Sequence, residues 1–225
     1  MNFPDPEIEC LFEEVYKPSD DTYLIIDYLK KNINESYFDG IDVKKIKYIL
    51  DMGTGTGIIA LFLNEIKKRI VNFSPTIFAS DILENALKCA KLNEMKNNFE
   101  KSINFIHSNL FKNFPERLLN CFNIIIFNPP YLPSLNEYEF TFGKNDQSIS
   151  WDGGKRGTEL FLEFVFQVQP FINSNKECYI YYISSSVSKF ENISNEIAKS
   201  GFRNKVLKKK HVFFEDIILN RLELI

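Results

Sequence analysis

The sequence predicts an α/β fold with a seven-stranded, mostly parallel sheet and helices on both faces. Short runs of β-branched and aromatic residues, apolar on both faces, alternate with segments of helical periodicity, the pattern of a parallel sheet buried between helices. With 225 residues, 44% of them hydrophobic, the chain is long enough for one buried core. We therefore expect a single domain, with an N-terminal helical segment or lid over residues 1–45 and an α/β core over residues 46–225.

The strands and helices follow in order along the chain. The apolar runs predict strands at 46–50, 76–80, 102–107, 123–127 and 178–183, and a final pair at 203–207 and 216–219. Helices are expected to begin at Ile58 and near Ile82. Residues at spacing i, i+3, i+4 and i+7 in a later helix form a stripe that should face the core: Phe161, Phe164, Val165 and Val168.

A glycine turn joins the first predicted strand to its helix. It has the spacing Gly-x-Gly-x-Gly, and Ile58 stands where a dinucleotide-binding turn needs its third glycine, so NAD is disfavoured. Glycines allow the backbone to approach a ligand closely, and S-adenosylmethionine needs no phosphate cradle. Asp81 ends the second strand, where it could accept hydrogen bonds from both hydroxyls of a ribose, cap the next helix, or do both.

The most informative motif is Asn128-Pro129-Pro130-Tyr131, directly after the fourth strand. An amide or aryl amine is a poor nucleophile because its nitrogen lone pair is delocalised. The Asn128 side-chain oxygen and the Pro129 carbonyl are two acceptors for the two N–H groups of one NH2, and prolines add no competing donor. Tyr131 offers a flat face. Together with the glycine turn, the motif predicts an S-adenosylmethionine-dependent methyltransferase acting on a planar amino group.

Composition narrows the other possibilities. A net charge of −3 argues against nucleic-acid binding by bulk electrostatics, and the basic run Lys208 to His211 is predicted to be a solvated turn. No segment is long and apolar enough to span a bilayer, and no export signal is evident. Four scattered cysteines lack metal-ligand spacing, so we expect reduced core thiols, no metal site, and a cytoplasmic or also nuclear location.

Four collinear segments resemble the HemK-type protein N5-glutamine methyltransferases, in their short eukaryotic and archaeal branch. They are Val15 to Ile25, the Asp-x-Gly-x-Gly-x-Gly turn, Asn-Pro-Pro-Tyr, and Trp151 to Gly157. The resemblance implies the Rossmann-like fold of class I S-adenosylmethionine-dependent methyltransferases. It also implies that the methyl acceptor is the glutamine of the Gly-Gly-Gln motif in the class I peptide chain release factor, which would become N5-methylglutamine.

The resemblance implies roles for individual residues. The S-adenosylmethionine site would comprise Asp21, Thr22, Asp51, Gly53, Gly55, Gly57, Asp81, Asn109, Leu110 and Asn128. Asp21 and Thr22 would form a lid over the methionine moiety, and Asn109 stands where relatives often have an acid near the adenine. Asn128 would hold the substrate amide, with Pro129 and Tyr131 beside it. Trp151 to Gly157 would shape the substrate mouth, or simply form a glycine-rich loop before the helix that follows.

The resemblance also implies a partner. Relatives in this branch work as heterodimers with a small zinc-binding activator that adds a strand to the methyltransferase sheet. In a doubly wound order the third strand, Ile103 to Ile106, is a free edge that is apolar on both faces and carries little protective charge. We therefore expect a partner to bury Ile103 to His107 and the neighbouring Phe99.

Three alternatives stay open at this point. Asn-Pro-Pro-Tyr could equally grip the exocyclic amine of adenine in DNA or RNA, although a flipped base usually needs a further basic recognition region. A lysine acceptor would need a general base, and the motif supplies none. A catalytically silent binding protein would have no need of the intact glycine turn, Asp81 and Asn128 together.

Overall fold

The computed structural model describes residues 3–132, 157–174, 177–188 and 193–225. The strands of the main sheet are Tyr48–Met52 (β3), Thr76–Asp81 (β4), Ile103–His107 (β5), Ile124–Phe127 (β6), Tyr179–Ser185 (β7), Phe202–Val212 (β8) and Glu215–Leu224 (β9). A small antiparallel ribbon, Tyr37–Phe38 (β1) and Ile41–Asp42 (β2), precedes them. The helices are Asp20–Asn32 (α1), Ile58–Arg69 (α2), Glu84–Lys96 (α3), Glu159–Val168 (α4) and Ser194–Lys199 (α5).

The main sheet has the strand order β5-β4-β3-β6-β7-β9-β8. Strands β3 to β7 are parallel, and β9 runs antiparallel to both β7 and β8. Strands β4 and β5 extend the sheet on one side of β3, and β6 then pairs with the other side of β3. This reversal creates a crevice at the carboxyl ends of β3 and β6, the place where open α/β sheets bind ligands. The predicted mostly parallel sheet of seven strands is confirmed.

Both faces of the sheet are buried. On β6, Ile124 and Ile126 pack on the face covered by α1 and α2, whereas Ile125 and Phe127 pack on the face covered by α4 and α5. The predicted stripe on α4 is buried throughout, so its assignment to the core is confirmed. Because successive strand residues point to opposite faces, only a run that is apolar at every position can occupy such a central place.

Two sequence-based expectations were wrong at the far end of the sheet. The segment Lys208 to His211 lies inside β8, and the hairpin turns instead at Phe213 and Phe214. Strand β8 is an edge of the sheet, where exposed lysines are tolerated and discourage pairing with another chain. The final pair of strands is therefore longer than predicted, because charge alone does not interrupt an edge strand.

The cysteines also differ from expectation. Cys10 and Cys89 form a disulfide with their Cα atoms 5.6 Å apart, so the prediction of reduced thiols was wrong for this pair. The two residues are separated by 79 positions, and only the path of the N-terminal segment across α3 brings them together. Cys121 and Cys178 are free. No helix in the described part of the chain combines the length and apolarity that a membrane span requires.

Candidate active site

The glycine turn after β3 has a backbone that only glycine adopts readily. Gly53, Gly55 and Gly57 all have positive φ, at 63°, 55° and 85°. Gly57 precedes α2, and a Cβ placed on it would lie 2.8 Å from the Cβ of Ala90 in α3. The third glycine of the spacing is thus required both by its φ and by the close approach of the neighbouring helix.

Asp51 holds this turn together from inside. Its side chain is 1% exposed, and one carboxylate oxygen accepts hydrogen bonds from Thr54 Oγ1 at 2.6 Å and from the Ala60 amide at 3.1 Å. Burial raises the pKa of Asp51 to about 7. These hydrogen bonds connect the end of β3 to the first turn of α2. The predicted contact between Asp51 and the cofactor stays a prediction.

Asp81 lies at the carboxyl end of β4 and is also buried. One carboxylate oxygen accepts a hydrogen bond from the Gly55 amide at 2.9 Å, and the other accepts one from the Leu83 amide at 3.0 Å. Burial raises the pKa of the Asp81 carboxyl. Each oxygen still has a lone pair left. Asp81 therefore joins the glycine turn to the start of α3 and keeps acceptor capacity for a ribose.

Asn128 follows β6 on the other side of the crevice. Its Nδ2 donates to Thr22 Oγ1 at 3.5 Å, while its Oδ1 is buried and has no hydrogen-bond partner among the described residues. Thr22 Oγ1 in turn donates to Asp21 Oδ1 at 3.1 Å. Because the single hydroxyl proton of Thr22 is used on Asp21, its lone pair must accept from the Asn128 amide nitrogen. The amide is thereby oriented with its oxygen free.

An unpartnered buried acceptor is unusual. Leaving such a group unsatisfied costs roughly 1–3 kcal/mol, and most buried polar atoms in proteins have a partner. The Asn128 oxygen lies at the carboxyl edge of the sheet, next to a strand neighbour, β3, that ends in the glycine turn. Asn128 Oδ1 is therefore placed to accept a hydrogen bond from a ligand.

Asp21 connects the N-terminal segment to the motif after β6. Its carboxylate is 2% exposed and accepts hydrogen bonds from the hydroxyls of Tyr16, at 3.0 Å, and Tyr131, at 3.1 Å. Burial raises the pKa of both tyrosines, and the charge of Asp21 raises it further. Both phenols therefore remain protonated donors at neutral pH. Ser188 Oγ donates to the Tyr131 carbonyl, which fixes the end of the motif.

The other predicted residues lie at the same edge of the sheet or outside the described residues. Pro129 is buried and Pro130 is half-buried. Asn109 and Leu110 follow β5; Asn109 is half-buried, whereas Leu110 is buried in the core with φ 49°. Of the segment Trp151 to Gly157, only Gly157 is among the described residues.

Sequence reasoning missed Tyr16 as a member of the site. The segment Val15 to Ile25 resembles a family pattern, but its spacing does not indicate a role for Tyr16. Only the fold of the N-terminal segment shows that Tyr16 shares the Asp21 carboxylate with Tyr131.

The residues fit S-adenosylmethionine. Asp81 offers acceptors for two ribose hydroxyls, and the turn leaves backbone accessible to a ligand at the exposed Gly53 and the half-buried Gly55. Asn128 follows β6, the strand that pairs with β3. A glycine turn at the switch point, an acid on the next strand and Asn-Pro-Pro-Tyr on the neighbouring strand define a class I methyltransferase whose cofactor is S-adenosylmethionine.

Comparisons with known proteins agree. The family model "Methyltransferase small domain" matches residues 33–142. A Methanocaldococcus jannaschii protein, provisionally named a protein N5-glutamine methyltransferase, is 30% identical over 210 residues, which are 93% of this chain and 91% of that protein. The chain belongs to the protein N5-glutamine methyltransferase family.

Further relatives support the same family. The eRF1 methyltransferase catalytic subunit of Schizosaccharomyces pombe is 28% identical over 212 residues, covering 88% of this chain and 85% of that protein. Among solved structures, the methyltransferase in the E. cuniculi Mtq2–Trm112 complex superposes with a TM-score of 0.63 at 20% identity, over 94% of this chain and 99% of that one. A Pyrococcus furiosus methyltransferase gives a TM-score of 0.64, also at 20% identity, over 98% and 90% of the two chains. At this identity the two structures confirm the fold alone.

Proposed function

We propose that this enzyme methylates the side-chain amide of the glutamine in the Gly-Gly-Gln motif of the class I peptide chain release factor. The observation that carries the proposal is the buried, unpartnered Oδ1 of Asn128, an acceptor directly after β6 at the carboxyl edge of the sheet. The name of the M. jannaschii relative specifies N5 of glutamine, and that of the S. pombe relative specifies the termination factor eRF1. Both names fit an acceptor built for a planar carboxamide.

The chain's own residues bind and orient the acceptor nitrogen. When bound, S-adenosylmethionine supplies an electrophilic methyl group on a sulfonium sulfur. Asn128 Oδ1 accepts one N–H of the glutamine amide and the Pro129 carbonyl accepts the other, which orients the nitrogen and stabilises the positive charge that develops on it. One of these two protons is then released to solvent, which leaves the neutral N-methylamide. Because both acceptors sit on the rigid end of β6, little reorganisation is needed as charge develops on the nitrogen.

Thr22 and Asp21 keep that acceptor correctly oriented. A freely rotating asparagine would present its NH2 to the substrate half of the time, and two NH2 groups facing each other repel. The Asn128–Thr22–Asp21 chain of hydrogen bonds excludes this orientation. Tyr131, held by its hydroxyl on the same carboxylate, is likewise restricted to one position beside the amide.

The proposal includes a small zinc-binding activator subunit that adds a strand to β5. The two edges of the sheet differ: β8 carries Lys205 and Lys208 to Lys210, whereas β5 has no lysine or arginine. Lysines protect an edge strand against pairing, and their lack on β5 leaves it open to a further strand. The solved structure with the same fold from E. cuniculi is of a complex, Mtq2–Trm112.

The surface beside β5 is suitably apolar. Phe105 and Ile106 of β5 and the neighbouring Phe99 are half-buried. Helix α3 packs next to β5 and exposes Leu92 and Met95, at 57% and 59% of their surface. These residues extend the apolar edge onto the adjoining helix, as expected for a surface that another chain covers.

Labelled methyl transfer tests the acceptor. Purified enzyme and activator are incubated with labelled S-adenosylmethionine and either wild-type release factor or a variant with the Gly-Gly-Gln glutamine replaced. Label on the wild-type factor alone would support the proposal. Equal label on both factors would refute it, and label only on single-stranded nucleic acid supplied in parallel would establish adenine as the acceptor.

Matched lysine substitutions test the partner edge. Ile106→Lys on β5 should abolish co-purification of the activator, because it places a charge on the pairing edge. Val206→Lys on β8, which is half exposed at the opposite edge, should leave co-purification unchanged. Loss of the activator from the Val206 variant but not from the Ile106 variant would place the partner on the other edge.

A further inference from the structure

One face of α3 binds the N-terminal segment at every turn. Three residues of this helix and its C-cap residue follow one another at spacing i+4, and we call them the α3 track: Asn85, Cys89, Asn93 and the C-cap Asn97. The segment that crosses them, residues 7–16, we call the strap. Side chains four positions apart lie one above the other on a helix, so the track forms a continuous line along α3.

The strap runs along this track in the opposite direction to the helix. Asn97 accepts from the Glu7 amide at 2.9 Å and donates to the Glu7 carbonyl at 2.8 Å. The next two contacts are the Asn93 bond to the Glu9 amide, at 2.9 Å, and the Cys10–Cys89 disulfide. Asn85 Nδ2 completes the set by donating to Glu14 Oε1 at 2.6 Å.

Asn93 differs from the rest of the track because it also reaches the glycine turn. It is 1% exposed; its Oδ1 accepts from the strap, and its Nδ2 donates to the carbonyl of Thr56 at 2.9 Å. Asparagine is a poor residue for the middle of a helix. One buried amide thus connects the strap directly to the backbone between Gly55 and Gly57.

The far end of the strap touches the turn a second time. Val15 is buried against Ala86 and Cys89, which places the carbonyl oxygen of Tyr16 3.5 Å from the position of a Cβ on Gly55. The Tyr16 hydroxyl then donates to Asp21. The strap therefore lies over the glycine turn and ends at the residues that orient Asn128.

We infer that docking of the strap on α3 is coupled to cofactor binding at the glycine turn. Asn93 is the positioning residue that couples the strap to the turn. The Thr56 carbonyl and the Glu9 amide are held by the same side chain, so a glycine turn fixed by bound cofactor favours the docked strap, and a docked strap favours the cofactor-binding conformation of the turn. Such coupling is reciprocal by linkage. The inference concerns cofactor binding and goes beyond the choice of methyl acceptor.

Hydrogen exchange of the strap with and without S-adenosylhomocysteine tests this coupling, together with calorimetric titration of the same ligand. Asn93→Ala is compared with Asn97→Ala, a matched control that loses two bonds to the strap but none to the turn. In the wild type and in the Asn97 variant, the ligand should slow exchange over residues 7–14. In the Asn93 variant that protection should disappear, and the ligand should bind about tenfold more weakly, as loss of buried hydrogen bonds at the coupling residue implies.

Three results would overturn the inference. They are unchanged strap exchange in the wild type on adding ligand, full protection retained in Asn93→Ala, and equal weakening of binding in the two variants. The wild-type exchange experiment decides the first point even if Asn93→Ala does not fold. Since no methyl acceptor is present, failure here would leave the glutamine assignment intact, and failure of methyl transfer to the release factor would leave this coupling intact.

Discussion

Thr22→Val tests whether Thr22 orients the side-chain amide of Asn128, the residue proposed to hold the substrate. Valine has the shape of threonine but lacks the Oγ1 that accepts from Asn128 Nδ2 at 3.5 Å and donates to Asp21 at 3.1 Å. Thr22 is buried, so water cannot readily replace the lost contacts. We expect slower methyl transfer with an intact fold, because Asn128 can then turn its NH2 towards the substrate.

The size of the effect follows from the geometry. A neutral hydrogen bond contributes about 0.5–1.5 kcal/mol, and the 3.5 Å separation argues for the lower half of that range. kcat should therefore fall roughly two- to fivefold. Asn128→Ala removes the acceptor itself and should lower kcat about 10²–10³-fold, the usual cost of losing one preorganised transition-state contact. Affinity for S-adenosylhomocysteine should change little in the Asn128 variant.

A double-mutant cycle separates positioning from direct binding. If Thr22 acts through Asn128, Thr22→Val should have no further effect on kcat in the Asn128→Ala background. Thr22→Ser, which keeps the hydroxyl, should retain most of the wild-type kcat. Additive losses in the double variant, together with weaker cofactor binding by Thr22→Val alone, would refute the positioning role and favour the predicted lid over the methionine moiety.

Three further changes test the surrounding structure. Gly57→Ala should destabilise the fold by at least about 2 kcal/mol, because it combines a positive φ with a Cβ 2.8 Å from that of Ala90. Adding Ala90→Gly removes the close contact but not the positive φ, so urea denaturation should show that only part of the lost stability returns. Full recovery would mean that the φ at residue 57 is not strained. Burial raises the pKa of Asp51 to about 7, so between about pH 4 and pH 7 the folded state keeps a proton that the unfolded state has lost. The proton bound to Asp51 stabilises the folded state relative to the unfolded state, and this contribution is lost as the pH rises through about 7. The unfolding free energy of the wild type minus that of Asp51→Asn should fall by about 2–3 kcal/mol from pH 5 to pH 7.5, and a flat or rising difference would contradict the assignment. Cys10→Ser should cost about 2–4 kcal/mol by removing the cross-link; a reductant should do the same to the wild type and nothing to the variant, and an unchanged wild type would argue against the Cys10–Cys89 bond.

The parts of the fold that could be predicted from sequence are those specified by local pattern. The run Ile124 to Phe127 is apolar at every position, and only a central parallel strand buries both faces of such a run. The glycine spacing after β3 likewise needs a particular backbone at particular positions, and the structure has positive φ at all three glycines. The identity of the methyl acceptor was predicted from the family resemblance alone, because no local sequence pattern specifies it.

Contacts between distant segments could not be predicted. The α3 track could not be predicted from the sequence, because asparagines at i+4 spacing indicate a solvent-exposed helix face. Only the structure shows that the strap covers this face. The same holds for Cys10 and Cys89, whose pairing depends on the docked strap. Asp21 and Tyr131 are 110 residues apart, and neither residue type alone indicates that they share a hydrogen bond.

Two carboxylates hold helix α1 and the ribbon after it: the buried Asp21 in the first turn of α1 and the half-buried Asp39 after β1. Asp21 is held at the site by Tyr16 and Tyr131. Asp39, after β1, accepts from the hydroxyl of Tyr181 at 2.7 Å and from Arg221 Nη1 at 2.5 Å, both in the main sheet. Removing charges from water is costly, so the Asp39–Arg221 ion pair serves to specify a position more than to add stability. Helix α1 is thereby held next to Asn128, and its Thr22 orients the Asn128 amide in the folded chain without any ligand.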